Sequence, residues 1–330
     1  MMLRRVLLCL AALIGGPAAA QTACDGSTLP SGPNWGANGP YQATITAYAD
    51  PASTGQQVQV FTPTGAPGKR PVIFFAHGYG PGIWQAYGDL ISHLVSIGYA
   101  VVYGPYQQTG VTTPQRYDEL WGGFLAAAQQ SSSLDLTRVG FLGHSFGGGA
   151  TPYLAYQGLV QQGWGSEGAF MMLLAPWYSY ETPDSLLQAL PAGLIRGEQI
   201  YDQDSTNDHR MAIDIFQHLQ TGAGKYFLLG HSGSLNGCTM TADHSTPGQN
   251  DSLLLKRLVV FRPLDAMASL AFDHSAAAQR ALLQMSAPGG GPVGYLPLSL
   301  LPAPQPDQPQ SYYQNPWDSP ANPREGEESW

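Results

Sequence analysis

Val139-Gly140-Phe141-Leu142-Gly143-His144-Ser145-Phe146-Gly147-Gly148-Gly149-Ala150-Thr151 is a short apolar run that ends in a serine flanked by glycines. The run predicts a buried strand, and the small residues after it indicate a helix that begins abruptly. Gly143 and Gly147 leave room for a sharp turn that holds the hydroxyl of Ser145 above the sheet. Because Gly-x-Ser-x-Gly at such a turn is typical of a nucleophilic serine, we expect Ser145 to be the nucleophile.

Apolar runs alternate with helical patterns on both sides of this stretch. Continuous or alternating apolar residues predict strands at 43–49, 57–61, 71–76, 99–103, 138–142, 169–174, 192–196 and 225–229. Helical spacing predicts helices at 84–97, 115–130, 146–161, 209–219 and 253–284, the last broken at Pro263. Regular alternation of this kind predicts an α/β fold with a mostly parallel central sheet and helices on both faces.

The two ends of the chain differ in composition from its middle. Residues 1–20 have a basic start, a short apolar run and small residues at their end, so they predict a signal peptide and a secreted or periplasmic protein. Residues 21–40 are predicted to be irregular, and 41–285 to form the catalytic domain. Residues 286–330 are rich in Pro and Gly and, from Pro302, in Gln, Asn and acidic residues, which predicts a tail that is disordered or loosely draped over the domain.

Charge and cysteine content restrict the partners. The formal net charge of −9 argues against a nucleic acid as the main partner. No apolar run approaches the roughly 20 residues of a membrane-spanning helix, so no integral membrane segment is expected. In an oxidising compartment Cys24 and Cys238 either form a disulfide or remain separate thiols.

A serine nucleophile needs a base and a carboxylate that orients the base. In sheets of this type both follow the serine, in the order Asp then His, at the ends of later strands. We favour Asp204 as the acid, and Asp202 is the alternative. We favour His244 as the base because its longer loop can fold back over the sheet edge, and His231 is the alternative.

Two backbone amides are candidates for binding an oxyanion. The amide of Phe146 lies at the predicted N-terminus of a helix, where the helix dipole favours negative charge. The second candidate is the amide of Tyr79, in His77-Gly78-Tyr79-Gly80 directly after the strand at 71–76. The acidic residues and histidine at 202–209 lack the spacing of a known metal site, so neither a metal nor a cofactor is expected.

Taken together, these motifs resemble the α/β-hydrolase superfamily over residues 41–284. Gly-His-Ser-Phe-Gly-Gly-Gly-Ala-Thr at 143–151, His-Gly-Tyr-Gly at 77–80 and Ala-Pro-Trp at 175–177 are similar to the dienelactone hydrolase, cutinase-like and bacterial lipase branch. The resemblance implies that the amides of Phe146 and Tyr79 form the oxyanion hole. It also implies that Trp177 lines the acyl pocket, and Trp84 and Tyr178 are expected to make that pocket aromatic.

Two further segments bear on the resemblance. Ala-Asp-His-Ser-Thr-Pro at 242–247 is similar to the histidine segment of some members, which supports His244. The insertion at 232–241 departs from the branch because it is longer than in its compact members. Since no long insertion occurs at 178–190, no large cap domain is expected.

The predicted function is that of a serine hydrolase that cleaves carboxylic esters through a Ser-His-Asp triad and an acyl-enzyme. The substrate would be a small-molecule, lipid or polyester ester. One alternative is a serine peptidase or amidase of the same fold. The other, of a different class, is a non-catalytic binding protein on a hydrolase scaffold.

Overall fold

The computed structural model describes residues 35–80, 82–220, 224–250, 252–287, 294–317 and 324. The predicted signal peptide at 1–20 and Cys24 lie outside the described residues. Cys238 is disulfide-bonded. Within the described ranges, no helix combines the length and the apolar character needed to cross a membrane.

A mixed sheet organises the described chain. Its strands are β1 (Ala43–Ala49), β2 (Gln57–Pro63), β3 (Arg70–Ala76), β4 (Ala100–Gly104), β5 (Leu134–His144), β6 (Gly168–Leu174), β7 (Ile195–Tyr201), β8 (Lys225–Gly230) and, after the separate hairpin β9 (Gly233–Leu235) and β10 (Cys238–Met240), β11 (Leu298–Leu300). The strand order is β1-β2-β4-β3-β5-β6-β7-β8-β11. The six strands from β4 to β8 in this order run parallel, whereas β1, β2 and β11 pair antiparallel at the edges.

Helices cover both faces of the sheet. They are α1 (Gly88–Ser96), α2 (Thr113–Gln130), α3 (Phe146–Tyr156), α4 (Asp184–Ala189), α5 (Arg210–His218), α6 (Leu253–Lys256), α7 (Arg262–Asp273) and α8 (Ala276–Met285). Alternate side chains of β3 enter two separate cores, because successive residues of a strand point to opposite faces. Ile73 and Phe75 pack with α1, α7 and α8, and Phe74 packs with α2 and α3. The predicted α/β class with a mostly parallel, doubly covered sheet is confirmed.

Two elements differ from the prediction in position. The strand expected at 192–196 is β7, which begins at Ile195 and continues to Tyr201. The helix does not end at Pro263. It continues from α6 through a π-helical turn, Arg257–Phe261, into α7, and this wider turn directly precedes the proline, which cannot donate a backbone hydrogen bond. The break comes instead at His274, which adopts a left-handed conformation with φ 51°.

Residues 294–317, which belong to the predicted tail, make defined contacts with the rest of the chain. Leu298 to Leu300 form β11, which pairs with the edge strand β8. Further along, Arg324 is 2% exposed and its Nε donates to Asp214 at 2.8 Å. Apolar side chains also hold the segment: Tyr295 and Leu298 are buried in the same core as Ile73 and Phe75, and the ring of Trp317 stacks on Tyr178. Composition did not reveal this order because these few apolar residues stand among many Pro, Gly and Gln residues.

Candidate active site

Ser145 occupies the turn between β5 and α3. Its φ of 55° and ψ of −121° place a non-glycine residue in a sparsely populated region, which costs on the order of 1–3 kcal/mol. The neighbouring glycines permit this turn. A Cβ at Gly143 would lie 2.1 Å from Thr151 Oγ1, and one at Gly147 would lie 2.1 Å from Ala76 O. The local sequence therefore enforces the tight turn that presents the serine.

Ser145, His244 and Asp204 form one line of hydrogen bonds. His244 Nε2 lies 2.9 Å from Ser145 Oγ, and His244 Nδ1 lies 2.9 Å from Asp204 Oδ2. Asp204 is 1% exposed, and its Oδ1 accepts from the amides of Thr206 at 2.8 Å and Asn207 at 3.3 Å. A carboxylate only accepts, so Nδ1 carries the hydrogen and Nε2 is left to accept the proton of Ser145.

The amide of Phe146 differs from its neighbours in its hydrogen bonding. The amides on either side of it are used: Ser145 donates to Leu174 O at 3.0 Å, and Gly147 donates to His77 O at 3.1 Å. Among the described residues, the Phe146 amide has no acceptor. It is the first amide of α3, so the helix itself does not satisfy it.

The loop after β3 approaches the serine closely. A Cβ at Gly78 would lie 3.0 Å from Ser145 Cβ, so only glycine fits there without a shift of the loop. Tyr79 follows, and both residues line the same cavity as Ser145 and His244. Of the two predicted oxyanion residues, Tyr79 thus lines the cavity at the serine, whereas Phe146 follows Ser145 in the chain and is not among the residues of the cavity wall.

A second chain of hydrogen bonds connects this loop to the histidine. The amide of Gly78 donates to Tyr87 Oη at 3.0 Å, Tyr87 Oη lies 2.8 Å from His144 Nδ1, and His144 Nε2 lies 2.9 Å from the carbonyl oxygen of His244. A carbonyl only accepts, so His144 carries its hydrogen on Nε2 and Tyr87 must donate to Nδ1. The donor of each bond is therefore defined: the Gly78 amide donates to Tyr87, the Tyr87 hydroxyl donates to His144, and His144 Nε2 donates to the carbonyl of His244.

Burial favours the neutral forms of the two titratable side chains in this chain of hydrogen bonds, His144 and Tyr87. Burial, together with the neighbouring His244, holds the pKa of His144 well below its usual range. Burial also raises the pKa of Tyr87 to about 12. The sequence reasoning missed both residues. The available signal was a histidine at the variable position directly before Ser145.

The two alternative residues, Asp202 and His231, lie next to each other. Asp202 Oδ1 accepts from Ser232 Oγ at 2.6 Å, and its Oδ2 lies 3.6 Å from His231 Nδ1. His231 Nε2 lies 2.8 Å from Ser299 Oγ on β11. The insertion at 232–241 forms the hairpin β9–β10, after which the chain returns to Ser145 at His244. The structure thus brings Asp204 and His244, and not their alternatives, to the serine.

A cavity of about 380 Å³ opens at the serine. Its wall is formed by Gly78, Tyr79, Gly82, Ala86, Tyr87, His144, Ser145, Gln203, Ser205, Thr206, Asp243, His244, Ser245, Gly248 and Gln249. The three aromatic residues predicted to line the pocket are not part of this wall. Trp84 packs edge-on against Phe61, with ring centroids 5.2 Å apart, and Tyr178 packs between Trp177 and Trp317.

The loop that carries Asp204 is bound by a later part of the chain, residues 307–317, which we call the C-terminal segment. Gln314 donates to Ser205 O at 2.7 Å, and Asn315 donates to Thr206 O at 2.9 Å. The amide of Asp208 in turn donates to Asn315 O at 3.1 Å. These contacts fix the backbone on the C-terminal side of the acid, and the predicted tail therefore takes part in building the site.

Comparisons with known proteins do not assign this chain to a family. No protein-family model matches the chain, and no curated protein sequence matches it. Within the described ranges, no group of three or more His, Cys, Asp or Glu side chains is arranged to hold a metal ion. Function must therefore be inferred from the side chains around Ser145.

Proposed function

We propose that this protein is a secreted serine hydrolase of the α/β-hydrolase fold that cleaves carboxylic esters. The observation that carries the proposal is the hydrogen-bonded line from Ser145 through His244 to the buried Asp204, with both links at 2.9 Å. The parallel strand order β4-β3-β5-β6-β7-β8 and the strained serine between β5 and α3 support the fold assignment. The pattern at residues 1–20 supports secretion.

In the first half of the reaction, Ser145 Oγ attacks the ester carbonyl carbon and His244 Nε2 takes the serine proton. The negative charge that develops on the carbonyl oxygen is stabilised by the amides of Phe146 and Tyr79. Asp204 stabilises the imidazolium that forms. His244 then gives its proton to the leaving oxygen, the carbon–oxygen bond of the ester breaks, and the alcohol departs.

In the second half, water attacks the acyl-enzyme and its proton passes to His244. The tetrahedral species collapses, the bond between the acyl carbon and Ser145 Oγ breaks, and His244 returns the proton to Ser145. One ester and one water become one carboxylic acid and one alcohol. No atom changes its oxidation state in either half of the reaction.

Hydrolysis of p-nitrophenyl acetate, butyrate and palmitate by the wild type and three variants tests the proposal. We expect Ser145→Ala and His244→Ala to lower kcat by orders of magnitude and His231→Ala to remain near wild type. If His231→Ala is the inactive variant, the base is misassigned but the class stands. Amide hydrolysis without ester hydrolysis would favour a peptidase or amidase. A wild type that hydrolyses neither, and that no fluorophosphonate labels, would refute the enzyme proposal in favour of a binding protein.

A further inference from the structure

Four uncharged polar side chains line the cavity without using their hydrogen-bonding capacity on the protein. These are Gln203, Ser205, Thr206 and Gln249. Within the described part of the chain, none of these side chains makes a hydrogen bond, and all four are half-buried or exposed. Amide and hydroxyl groups that converge on a cavity and have no internal partner are suited to orient a ligand that carries hydroxyl groups.

The charge of the cavity favours a neutral ligand. Asp243 contributes a carboxylate to the wall, and its Oδ1 accepts from the amide and the hydroxyl of Ser245 at 3.0 and 2.7 Å. No lysine or arginine is among the described residues of this wall. A substrate with a free carboxylate or phosphate would therefore meet a negative charge without a compensating cation.

An exposed aromatic ring separates this cavity from a second polar depression. Tyr79 is 51% exposed and lines both. Its hydroxyl donates to Gln108 O at 2.6 Å, and the guanidinium of Arg116 lies 5.6 Å from its ring centroid. The second depression is also lined by Thr109, Thr112, Gln115 and the largely buried Arg116. A fixed aromatic face beside amides and hydroxyls provides both an apolar contact and hydrogen bonds, as the two kinds of surface of a sugar ring require.

We propose that the preferred substrates are short acyl esters of neutral, polyhydroxylated alcohols, such as O-acetylated sugars. This inference rests on the ester hydrolase function proposed above. The alcohol part would contact Gln203, Gln249 and the ring of Tyr79, and the acyl part would be small. A fully apolar acyl pocket would increase kcat/KM about fourfold for each added methylene. The gain should be smaller here, because polar groups make up more than half of the cavity wall.

Two esters with the same ring-methylene-acetate skeleton test the proposal: 6-O-acetylglucose, and cyclohexylmethyl acetate, which lacks the hydroxyl groups. Acetate release is measured for the wild type, Gln203→Leu and Gln249→Leu. We expect kcat/KM to be at least tenfold higher for the sugar ester in the wild type. Each variant should lower this ratio at least fivefold. Gln217→Leu is the matched control, because Gln217 is exposed on α5 and lies outside the cavity wall, so its ratio should equal that of the wild type.

The possible failures are distinguishable. If cyclohexylmethyl acetate is hydrolysed as well as the sugar ester, or if the leucine variants leave the ratio unchanged, the substrate class is wrong while the ester hydrolase function stands. If p-nitrophenyl acetate is cleaved but neither ring ester is, the substrate class is equally overturned. If no ester is cleaved and no fluorophosphonate labels Ser145, the ester hydrolase function is refuted, and so is this inference, which depends on it.

Discussion

Replacing Tyr87 by Phe interrupts the hydrogen-bond chain between the Gly78 loop and His244 by the loss of one atom. The hydroxyl accepts from the Gly78 amide and donates to His144 Nδ1, and all three groups are buried. Each buried group left without a partner costs about 1–3 kcal/mol, so the free energy of unfolding should fall by about 2–6 kcal/mol as an upper range. The larger consequence concerns geometry, because both sides of the Ser145 site lose a fixed contact.

Within the proposed function, Tyr87→Phe should lower kcat for p-nitrophenyl acetate by a factor of about 10–100. A shift of about 1 Å in a positioned group is enough for a loss of this size. KM should change less than kcat, because the hydroxyl is directed at the protein and not at the substrate. Steady-state kinetics and urea unfolding at pH 7 measure both effects on the same preparation.

Tyr103→Phe is the matched control for this experiment. Tyr103 is 1% exposed, and its hydroxyl has no hydrogen-bond partner within the described ranges. Its ring also lies near that of Tyr87, with centroids 6.4 Å apart. Removing this hydroxyl should leave kcat unchanged and leave stability equal or slightly raised. If Tyr87→Phe keeps kcat within twofold of wild type, or if Tyr103→Phe loses as much activity, the positioning role of the chain is refuted.

Three other outcomes are expected. Asp204→Asn should lower kcat on the order of 10⁴-fold through the wrong histidine tautomer, whereas Asp202→Asn should stay within about threefold; equal losses in the two variants would contradict the assignment. Asn315→Ala removes the 3.0 Å hydrogen bond from Asn315 Nδ2 to Thr206 O. It should lower the free energy of unfolding by about 1 kcal/mol and lower kcat severalfold. An unchanged kcat would show that the C-terminal segment does not position Asp204. Burial raises the pKa of Asp50 to about 6 from 3.8. A raised carboxyl pKa gives stability that is complete below about pH 4 and is lost as pH rises through 6, so between pH 4 and 7 the wild type should lose up to about 3 kcal/mol relative to Asp50→Asn. Urea unfolding of both proteins at pH 4 and pH 7 measures this difference. If the free energy of unfolding changes equally with pH in the wild type and in Asp50→Asn, the raised pKa of Asp50 does not affect stability.

The central part of the fold was predictable because its signals are local. Apolar strands, helical spacing and the glycines around Ser145 each act within a few residues, and these signals located most of the sheet. The chain order of serine, acid and base then placed Asp204 and His244 at strand ends on the same edge of the sheet. The structure brings these two side chains to Ser145.

The features that the sequence did not reveal depend on contacts between distant residues. Trp84, Trp177 and Tyr178 look like pocket residues by position and type, but their rings pack on other aromatic side chains instead. The link from Tyr87 to His144 joins positions 57 residues apart. Such a pairing leaves no pattern of spacing or composition in a single sequence.

The C-terminal segment has a consequence for the order of folding. Its contacts with the acid loop join residues 109 positions apart, as between Asn315 and Thr206. Closing a long loop costs entropy before any contact compensates for it, so distant contacts tend to form late. Ser145 and His144, which lie within one strand–helix unit, can reach their turn early. The loop around Asp204 gains its contacts with Gln314 and Asn315 only when the segment docks. A chain with a nearly complete sheet would therefore still lack part of the support of Asp204.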